Sequence, residues 1–172
     1  SYTLTRTWTA TDDCTNAVTH TQIITVIDDT APVFNETLPQ DVTVQCDAVP
    51  AAETLTASDN CDPDVPVDYE EVRTDGACPQ SYTLTRTWTA TDDCTNAVSH
   101  TQTITVIDDT APEFNETLPQ DVTVQCDAVP VAEILTASDN CDTDVPVDYE
   151  EARTDGACPQ SYTLTRTWTA TD

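Results

Sequence analysis

The chain has 172 residues, of which 32 are acidic and only 5 are basic, so its formal net charge is −27. With so few cations it cannot neutralise phosphates, which excludes a nucleic-acid binder and argues against docking on an anionic membrane. No apolar run approaches the ~20 residues that cross a bilayer, so we expect no direct membrane insertion. High charge with low hydrophobicity often means disorder, but eight cysteines and only two glycines favour an ordered, disulfide-bearing extracellular protein.

The sequence repeats itself with a period of 80 residues. Residues 1–12 recur unchanged at 81–92 and at 161–172, and only seven positions differ between 1–80 and 81–160. Eighty residues are too many for one turn of a solenoid and are typical of a small domain that folds alone. Near-identity between copies indicates recent duplication, which is common in long surface arrays. The pattern starts and stops within a copy, so we expect any targeting segment to lie in a longer parent protein.

Proline-containing junctions divide the chain. The Asp-Asp-Thr-Ala-Pro segments at 28–32 and 108–112 are predicted boundaries, because proline ends one strand and restarts another. They predict the last two strands of a preceding repeat at 1–28, a complete repeat at 29–108, and a repeat lacking its last strand at 109–172. Such short linkers with proline predict stiff joints, and therefore a rod.

Alternation of apolar and polar residues predicts short strands along the chain. The predicted strands cover residues 41–46, 53–58, 82–91, 102–106, 122–126 and 145–149. From Tyr82 to Ala90 every second residue is expected on the core face, with threonines on the outer face. Six or seven short strands in about 80 residues, without helical periodicity, predict an all-β fold of tandem Ig-like β-sandwich domains.

Each period carries four cysteines, for which three pairings are possible. An Ig-like strand order would place the first and third cysteine at one end of the sandwich and the second and fourth at the other. The predicted disulfides are Cys46–Cys78, Cys61–Cys94 and Cys126–Cys158. This scheme leaves Cys14 and Cys141 without partners. Sequential pairing, Cys46 with Cys61 and Cys78 with Cys94, remains the alternative, and the absence of any C-x₂-C pair argues against zinc.

The acidic turns predict a calcium site. Calcium takes six to eight oxygen ligands from carboxylates, amides and carbonyls, and such groups cluster at the junctions and in the loops of the following repeat. The candidate ligands are Asp28, Asp29, Asp59, Asn60, Asp62, Asp92, Asp93, Asp108, Asp109, Asp139 and Asn140. The alternative is that these residues only shape turns and keep the surface soluble.

Two resemblances bear on function. Residues 25–34, Thr-Val-Ile-Asp-Asp-Thr-Ala-Pro-Val-Phe, resemble the calcium-binding linker of cadherin repeats, although they lack its Asp-x-Asn-Asp arrangement. The segments 44–50, 55–61 and 82–96 (Val-Gln-Cys-Asp-Ala-Val-Pro, Leu-Thr-Ala-Ser-Asp-Asn-Cys, and Tyr-Thr-Leu-Thr-Arg-Thr-Trp-Thr-Ala-Thr-Asp-Asp-Cys-Thr-Asn) are similar to hyalin-repeat-like modules. With the junction segment they resemble tandem arrays of giant Bacteroidota cell-surface adhesins of the gliding-motility class. That resemblance implies an Ig-like fold, export to the cell surface by the type IX system, and an adhesive or filament-forming role.

A modification signal lies at the same junctions. Asp29-Thr30-Ala31 and Asp109-Thr110-Ala111 resemble the Asp-Thr/Ser-apolar acceptor of Bacteroidota O-glycosylation, which makes Thr30 and Thr110 candidate glycan sites. The alternative is a threonine that caps a turn.

No catalytic constellation is evident. Each period has one histidine, His20 or His100, which is expected on an exposed strand without a nucleophile, so we do not predict an enzyme. The leading interpretation is a stalk or filament segment of a large extracellular cell-surface adhesin. Its partners would be neighbouring repeats, identical chains in a filament, and surface glycans or cells contacted by other regions. The alternative is that the repeats are themselves glycan- or cell-binding modules acting by avidity.

Overall fold

The computed structural model describes residues 1–172 and confirms the all-β class. A single 3-10 turn at Cys46–Ala48 accompanies twelve strands, and no helix of the chain is long and apolar enough to cross a membrane. The strands are β1 (Tyr2–Thr11), β2 (Ala17–Val26), β3 (Val33–Phe34), β4 (Val42–Gln45), β5 (Ala57–Ser58), β6 (Val67–Asp75), β7 (Tyr82–Thr91), β8 (Ala97–Ile107), β9 (Glu113–Phe114), β10 (Ala137–Ser138), β11 (Val147–Asp155) and β12 (Tyr162–Ala170).

The chain forms two compact units. One unit consists of Ser1–Asp41, Ala51–Val72 and Leu84–Thr103. The other consists of Val42–Pro50, Arg73–Thr83 and Ile104–Asp172. These units differ from the predicted repeats, but every strand pair has both strands within 1–28, within 29–108 or within 109–172.

The largest sheet has four strands in the order β4-β8-β7-β6. Its edge strand β4 runs parallel to β8, with Val42 opposite Ile104. Two-residue antiparallel pairs, β3 with β5 and β9 with β10, accompany it. The strands β1 and β2 form an antiparallel hairpin, and β11 pairs antiparallel with β12.

The core follows the alternation of β7. Leu84, Trp88 and Ala90 are buried on one face while the intervening threonines are only half-buried, as predicted. Trp88 is 1% exposed, and its indole N–H donates to the carbonyl oxygen of Glu53 at 3.0 Å. The hydrogen bond removes the penalty of burying the indole nitrogen, so the ring can fill the core.

An ion pair accompanies this core. Arg86 lies on the buried face of β7, and its Nε donates to Glu71 Oε2 at 2.7 Å. Tyr69 donates its hydroxyl hydrogen to the same carboxylate oxygen at 2.9 Å. Because both groups hydrogen-bond to its ionised form, the pKa of Glu71 is lowered, with Arg86 as the larger cause. The carboxylate thereby stays charged opposite a buried guanidinium.

Two strand predictions need correction. Residues 42–45 form β4, whereas the identical residues 122–125 form no strand, so the strand predicted at 122–126 is wrong. The reason is the missing partner: β4 pairs with β8, and no strand equivalent to β8 is present within 109–172. The strand predicted at 53–58 is limited to the two residues of β5.

Candidate functional site

A disulfide joins Cys46 to Cys141, 95 residues apart, with a Cα–Cα distance of 5.7 Å. Cys46 begins the 3-10 turn that follows β4, and Cys141 lies shortly after β10. The predicted bond from Cys46 to Cys78 is therefore wrong, as is the expectation that Cys141 lacks a partner. That prediction assumed that each repeat closes its own cysteines, whereas the bond links residues of two consecutive predicted repeats.

The other cysteines are free thiols in this structure. They are Cys14, Cys61, Cys78, Cys94, Cys126 and Cys158. The predicted bonds Cys61–Cys94 and Cys126–Cys158 are therefore not formed. Their place in the period explains two of them: Cys61 is the counterpart of Cys141, and Cys126 is the counterpart of Cys46. The partner of Cys61 would be the counterpart of Cys46 one period earlier. The partner of Cys126 would be the counterpart of Cys141 one period later.

Two carboxylates meet a cysteine in a cluster that occurs twice in the chain. In the first acidic cluster, ligand atoms of Asp28, Asp59 and Cys61 all lie within 4.8 Å of one another. In the second acidic cluster, Asp108, Asp139 and Cys141 have the same arrangement. Because the two clusters arise from the same residue types one period apart, the arrangement belongs to the repeat.

One carboxylate oxygen in each cluster is buried without a hydrogen-bond partner. Asp59 Oδ1 accepts hydrogen bonds from the backbone N–H groups of Cys61 at 2.8 Å and Asp62 at 3.2 Å. Its Oδ2 has no partner, and neither has Oδ2 of Asp139. An unsatisfied buried carboxylate oxygen is costly, so each cluster is suited to accept a cation.

The electrostatics of the second cluster also favour a cation. The pKa of Asp108 is raised, first by burial and then by the negative charges of Asp139, Asp172 and Asp109. Repulsion of this kind is relieved by a proton or by a positive ion. In the first cluster the pKa of the Cys61 thiol is raised, first by desolvation and then by Asp28 and Asp59, which keeps the sulfur protonated.

The donor chemistry fits a hard cation. The sulfur of Cys141 is bonded to Cys46 and cannot act as a thiolate ligand, so the second cluster offers only carboxylate oxygens from its side chains. Oxygen donors suit calcium, whereas zinc prefers sulfur and imidazole nitrogen. The two carboxylates supply part of the six to eight ligands that calcium takes, and backbone carbonyls and water would supply the rest.

Other predicted ligands shape turns. Asp62 accepts hydrogen bonds from the backbone N–H groups of Asp64 at 3.0 Å and Asp93 at 3.1 Å. Asp92 accepts from the backbone of Cys94 and from both the backbone and the amide of Asn96. Burial raises the pKa of Asp92, but these hydrogen bonds outweigh it and lower the pKa overall.

The remaining candidate ligands lie outside the two clusters. Asn60 directs its amide towards Cys61 Sγ at 3.2 Å, and Asn140 does the same towards Cys141. Asp109 accepts a hydrogen bond from the Gln45 amide. Asp29 and Asp93 are exposed. For these residues the structure gives turn or surface contacts and no shared ligand cluster.

The candidate glycan sites and the histidine of the complete repeat differ in their exposure. Thr30 and Thr110 are both exposed, so neither hydroxyl is shielded from a modifying enzyme. His100 was expected to be exposed, but it is half-buried: its ring stacks on Trp88 at 6.0 Å and bonds to the carbonyl oxygen of Pro39 at 2.8 Å. These contacts make it a structural residue of the sheet.

A scan against protein-family models finds no match to this chain. A search of curated proteins finds no match either.

Proposed function

We propose that this chain is a stalk or filament segment of a large extracellular cell-surface adhesin, which holds a binding region away from the cell for attachment, gliding or cell capture. The observation that carries the proposal is the disulfide from Cys46 to Cys141, because it joins two consecutive predicted repeats covalently. A covalent bond between consecutive repeats keeps a joint intact under load, which is what a stalk requires.

The fold and composition support the same role. The strand order β8-β7-β6 corresponds to the G-F-C order of an Ig-like sheet, and Ig-like sandwiches are common in cell-surface proteins. An intramolecular disulfide is typical of an oxidising compartment outside the cytosol. The net charge of −27 would repel neighbouring arrays and keep them soluble.

Solution scattering tests the extended shape that a stalk requires. A rod gives a radius of gyration well above the ~16 Å expected for a globular chain of this length. Collection in calcium and in a chelator at several protein concentrations separates the shape of the monomer from association. A value near the globular one would contradict the stalk.

Binding measurements separate the stalk from the alternative of a binding repeat. The full chain, immobilised at high density, is expected to retain neither cells nor glycans on an array, since Trp88 of the complete repeat is 1% exposed and the exposed Trp8 is already stacked on His20. High density is needed because weak repeated sites act by avidity. Specific retention that is abolished by soluble chain would favour the binding repeat.

We further propose that the two acidic clusters bind calcium and stiffen the joints. The buried, unpartnered Oδ2 atoms of Asp59 and Asp139 support this, as does the raised pKa of Asp108. Calcium is expected to raise the thermal unfolding temperature of the chain relative to a chelator, since it binds the folded state only. The increment should shrink when Asp108→Asn removes one ligand and persist in Asp148→Asn, an exposed residue of β11. Equal unfolding temperatures in calcium and chelator would refute the site.

A further inference from the structure

Cys78 lies in a tightly closed loop that ends at Ser81. The backbone N–H of Gly76 donates to the carbonyl oxygen of Ser81 at 2.8 Å, and the N–H of Ser81 donates to that of Cys78 at 3.1 Å. The Cys78 thiol donates to Ser81 Oγ at 3.1 Å. A Cβ on Gly76 would stand 2.5 Å from the Ser81 oxygen, so the closure requires glycine. The loop therefore holds the sulfur of Cys78 beside Ser81.

Cys94 lies beside the counterpart of Ser81 in the first copy. Ser1 occupies the position of Ser81 one period earlier, and its amino nitrogen lies 3.9 Å from Cys94 Sγ. Where another copy precedes Ser1, a cysteine stands three residues before it, as Cys78 stands before Ser81. The same loop closure would bring the sulfur of that cysteine against Cys94.

The other end of the complete repeat gives independent support. Ser81 Oγ accepts a hydrogen bond from the backbone N–H of Asp108 at 3.4 Å. In the first copy the turn that carries Cys94 lies at the counterpart of Asp108, because the Asn96 amide donates to the carbonyl oxygen of Asp28 at 3.4 Å. Asp172 is the counterpart of Asp92, which Cys94 follows by two residues. A continued period therefore brings a cysteine to the side of Cys78.

We propose that Cys78 and Cys94 are the two halves of a second disulfide between consecutive repeats. Cys78 bonds to the counterpart of Cys94 one period later, and Cys94 to the counterpart of Cys78 one period earlier. The disulfide between Cys46 and Cys141 is the first bond of this kind, so each joint between repeats then carries two disulfides. The inference rests on the period and on these contacts, and it does not depend on the proposed adhesive role.

The bond forms by thiol–disulfide exchange with a low-molecular-weight disulfide such as oxidised glutathione. Two protein thiols and one small disulfide give one protein disulfide and two small thiols. The protein sulfurs lose two electrons, the small disulfide gains them, and its two sulfurs take up the two protons.

The test uses the full chain with two residues added after Asp172. These are the aspartate and the cysteine that the period dictates at those positions. Trypsin places Cys78, Cys158 and the appended cysteine in three different peptides, because arginines at 73, 86, 153 and 166 separate them. After oxidation with glutathione, the appended cysteine is expected to be bonded to Cys78. A crosslink between peptides 7–73 and 87–153 that fragmentation assigns to Cys46 and Cys141 reports in the same digest that the chain has folded.

Matched variants assign the bond, since peptides 74–86 and 154–166 have identical sequences. Cys158→Ser is expected to retain the crosslink to the appended cysteine, and Cys78→Ser to lose essentially all of it and to leave a thiol that reacts with maleimide. The reverse result, in which Cys78→Ser retains the crosslink through Cys158, would establish pairing within one repeat. That result, or an appended cysteine that stays free in both variants while the 7–73 crosslink forms, overturns the proposal.

Discussion

Thr95 adopts a left-handed backbone conformation, with φ at 72°, in the turn between β7 and β8. The counterpart Thr15 has φ at 71° in the turn between β1 and β2. A β-branched residue is strained there, at a cost of roughly 1–2 kcal/mol, whereas asparagine enters this region more readily. The Asp92 carboxylate, which accepts hydrogen bonds from the backbone of Cys94 and Asn96, helps to hold the turn closed.

We expect Thr95→Asn to increase the free energy of unfolding by about 0.5–1 kcal/mol, because it relieves this strain. Thr105→Asn, at an exposed extended position of β8, is the matched control and should not stabilise. Urea denaturation of both variants measures the difference. Stabilisation of equal size at both positions would show that the effect does not come from the backbone conformation.

Glu36 ties together the short strands β3 and β5. Its carboxylate accepts hydrogen bonds from the backbone N–H and the hydroxyl of Thr56, both at 2.7 Å. These bonds, the backbone one first, lower the pKa of Glu36, and the counterpart Glu116 has the same partners one period later. A two-residue strand pair has few ladder bonds of its own, so a side chain that spans it matters for its position.

The lowered pKa predicts a pH dependence. The ionised Glu36 contributes stability that is fully present above its unfolded pKa and is lost as the pH falls through its folded pKa, which lies below the ordinary glutamate value of 4.5. Glu36→Gln should therefore lower the unfolding temperature at neutral pH and flatten its decline on acidification. Glu70→Gln, an exposed residue of β6, should leave the profile unchanged. Identical profiles for Glu36→Gln and the unmodified chain would contradict this role.

The segment Tyr-Thr-Leu-Thr-Arg-Thr-Trp occurs as β1 and again as β7, yet its tryptophan is 52% exposed at Trp8 and 1% exposed at Trp88. In β7 the ring contacts Tyr69 at 5.3 Å and bonds to Glu53, residues of the same repeat. Segment 1–28 offers only the hairpin, in which Trp8 stacks on His20 at 5.9 Å. Burial here is a property of the surrounding strands and not of the segment itself.

Trp88→Ala should cost about 3–5 kcal/mol of unfolding free energy, since it empties a buried site. Trp8→Ala, which removes the same side chain from the same local sequence, should change stability by less than about 0.5 kcal/mol. Guanidinium unfolding followed by circular dichroism compares the two. Similar losses at both positions would show that Trp8 is buried in solution.

How far the sequence predicts this fold depends on whether a feature is local. Alternation from Leu84 to Ala90 is local, and the buried face followed from it. Pairing is not local: residues 122–125 repeat the sequence of β4 but have no parallel partner, so the same pattern gives a strand in only one copy. The positions of the turns predict that Asp28 lies close to the loop at Asp59. They do not predict that Asp62 stays out of the cluster, because that depends on the hydrogen bonds Asp62 makes within the turns.

The cysteines illustrate the same limit at the scale of the whole chain. In a periodic sequence Cys61 and Cys141 are equivalent, so spacing alone cannot distinguish a bond within a repeat from a bond to the next one. Which cysteine bonds to Cys46 depends on where the turn after β4 lies relative to the loops that carry Cys61 and Cys141. This arrangement is a property of the folded chain. The disulfide from Cys46 to Cys141 is accordingly the feature that the sequence was least able to predict.

Pulling the chain by its two ends should reveal that bond. The disulfide withholds the segment from Cys46 to Cys141, a sequence separation of 95, from extension. At about 3.5 Å per residue, Cys46→Ser should therefore add roughly 330 Å to the fully stretched contour length. Cys126→Ser, at the counterpart position with a free thiol, should add nothing. Equal contour lengths in the oxidised chain and Cys46→Ser would show that the bond does not form.

The same bond also changes the outcome of a proteolytic cut. A single cut of the backbone anywhere between residues 46 and 141 leaves the segments on either side covalently attached, because the sulfur bridge bypasses the cut. The exposed acidic loops within this span, including the one at Asn60, can then be nicked without severing the chain. A cut that would separate an unbridged polypeptide into two pieces therefore leaves this chain covalently connected.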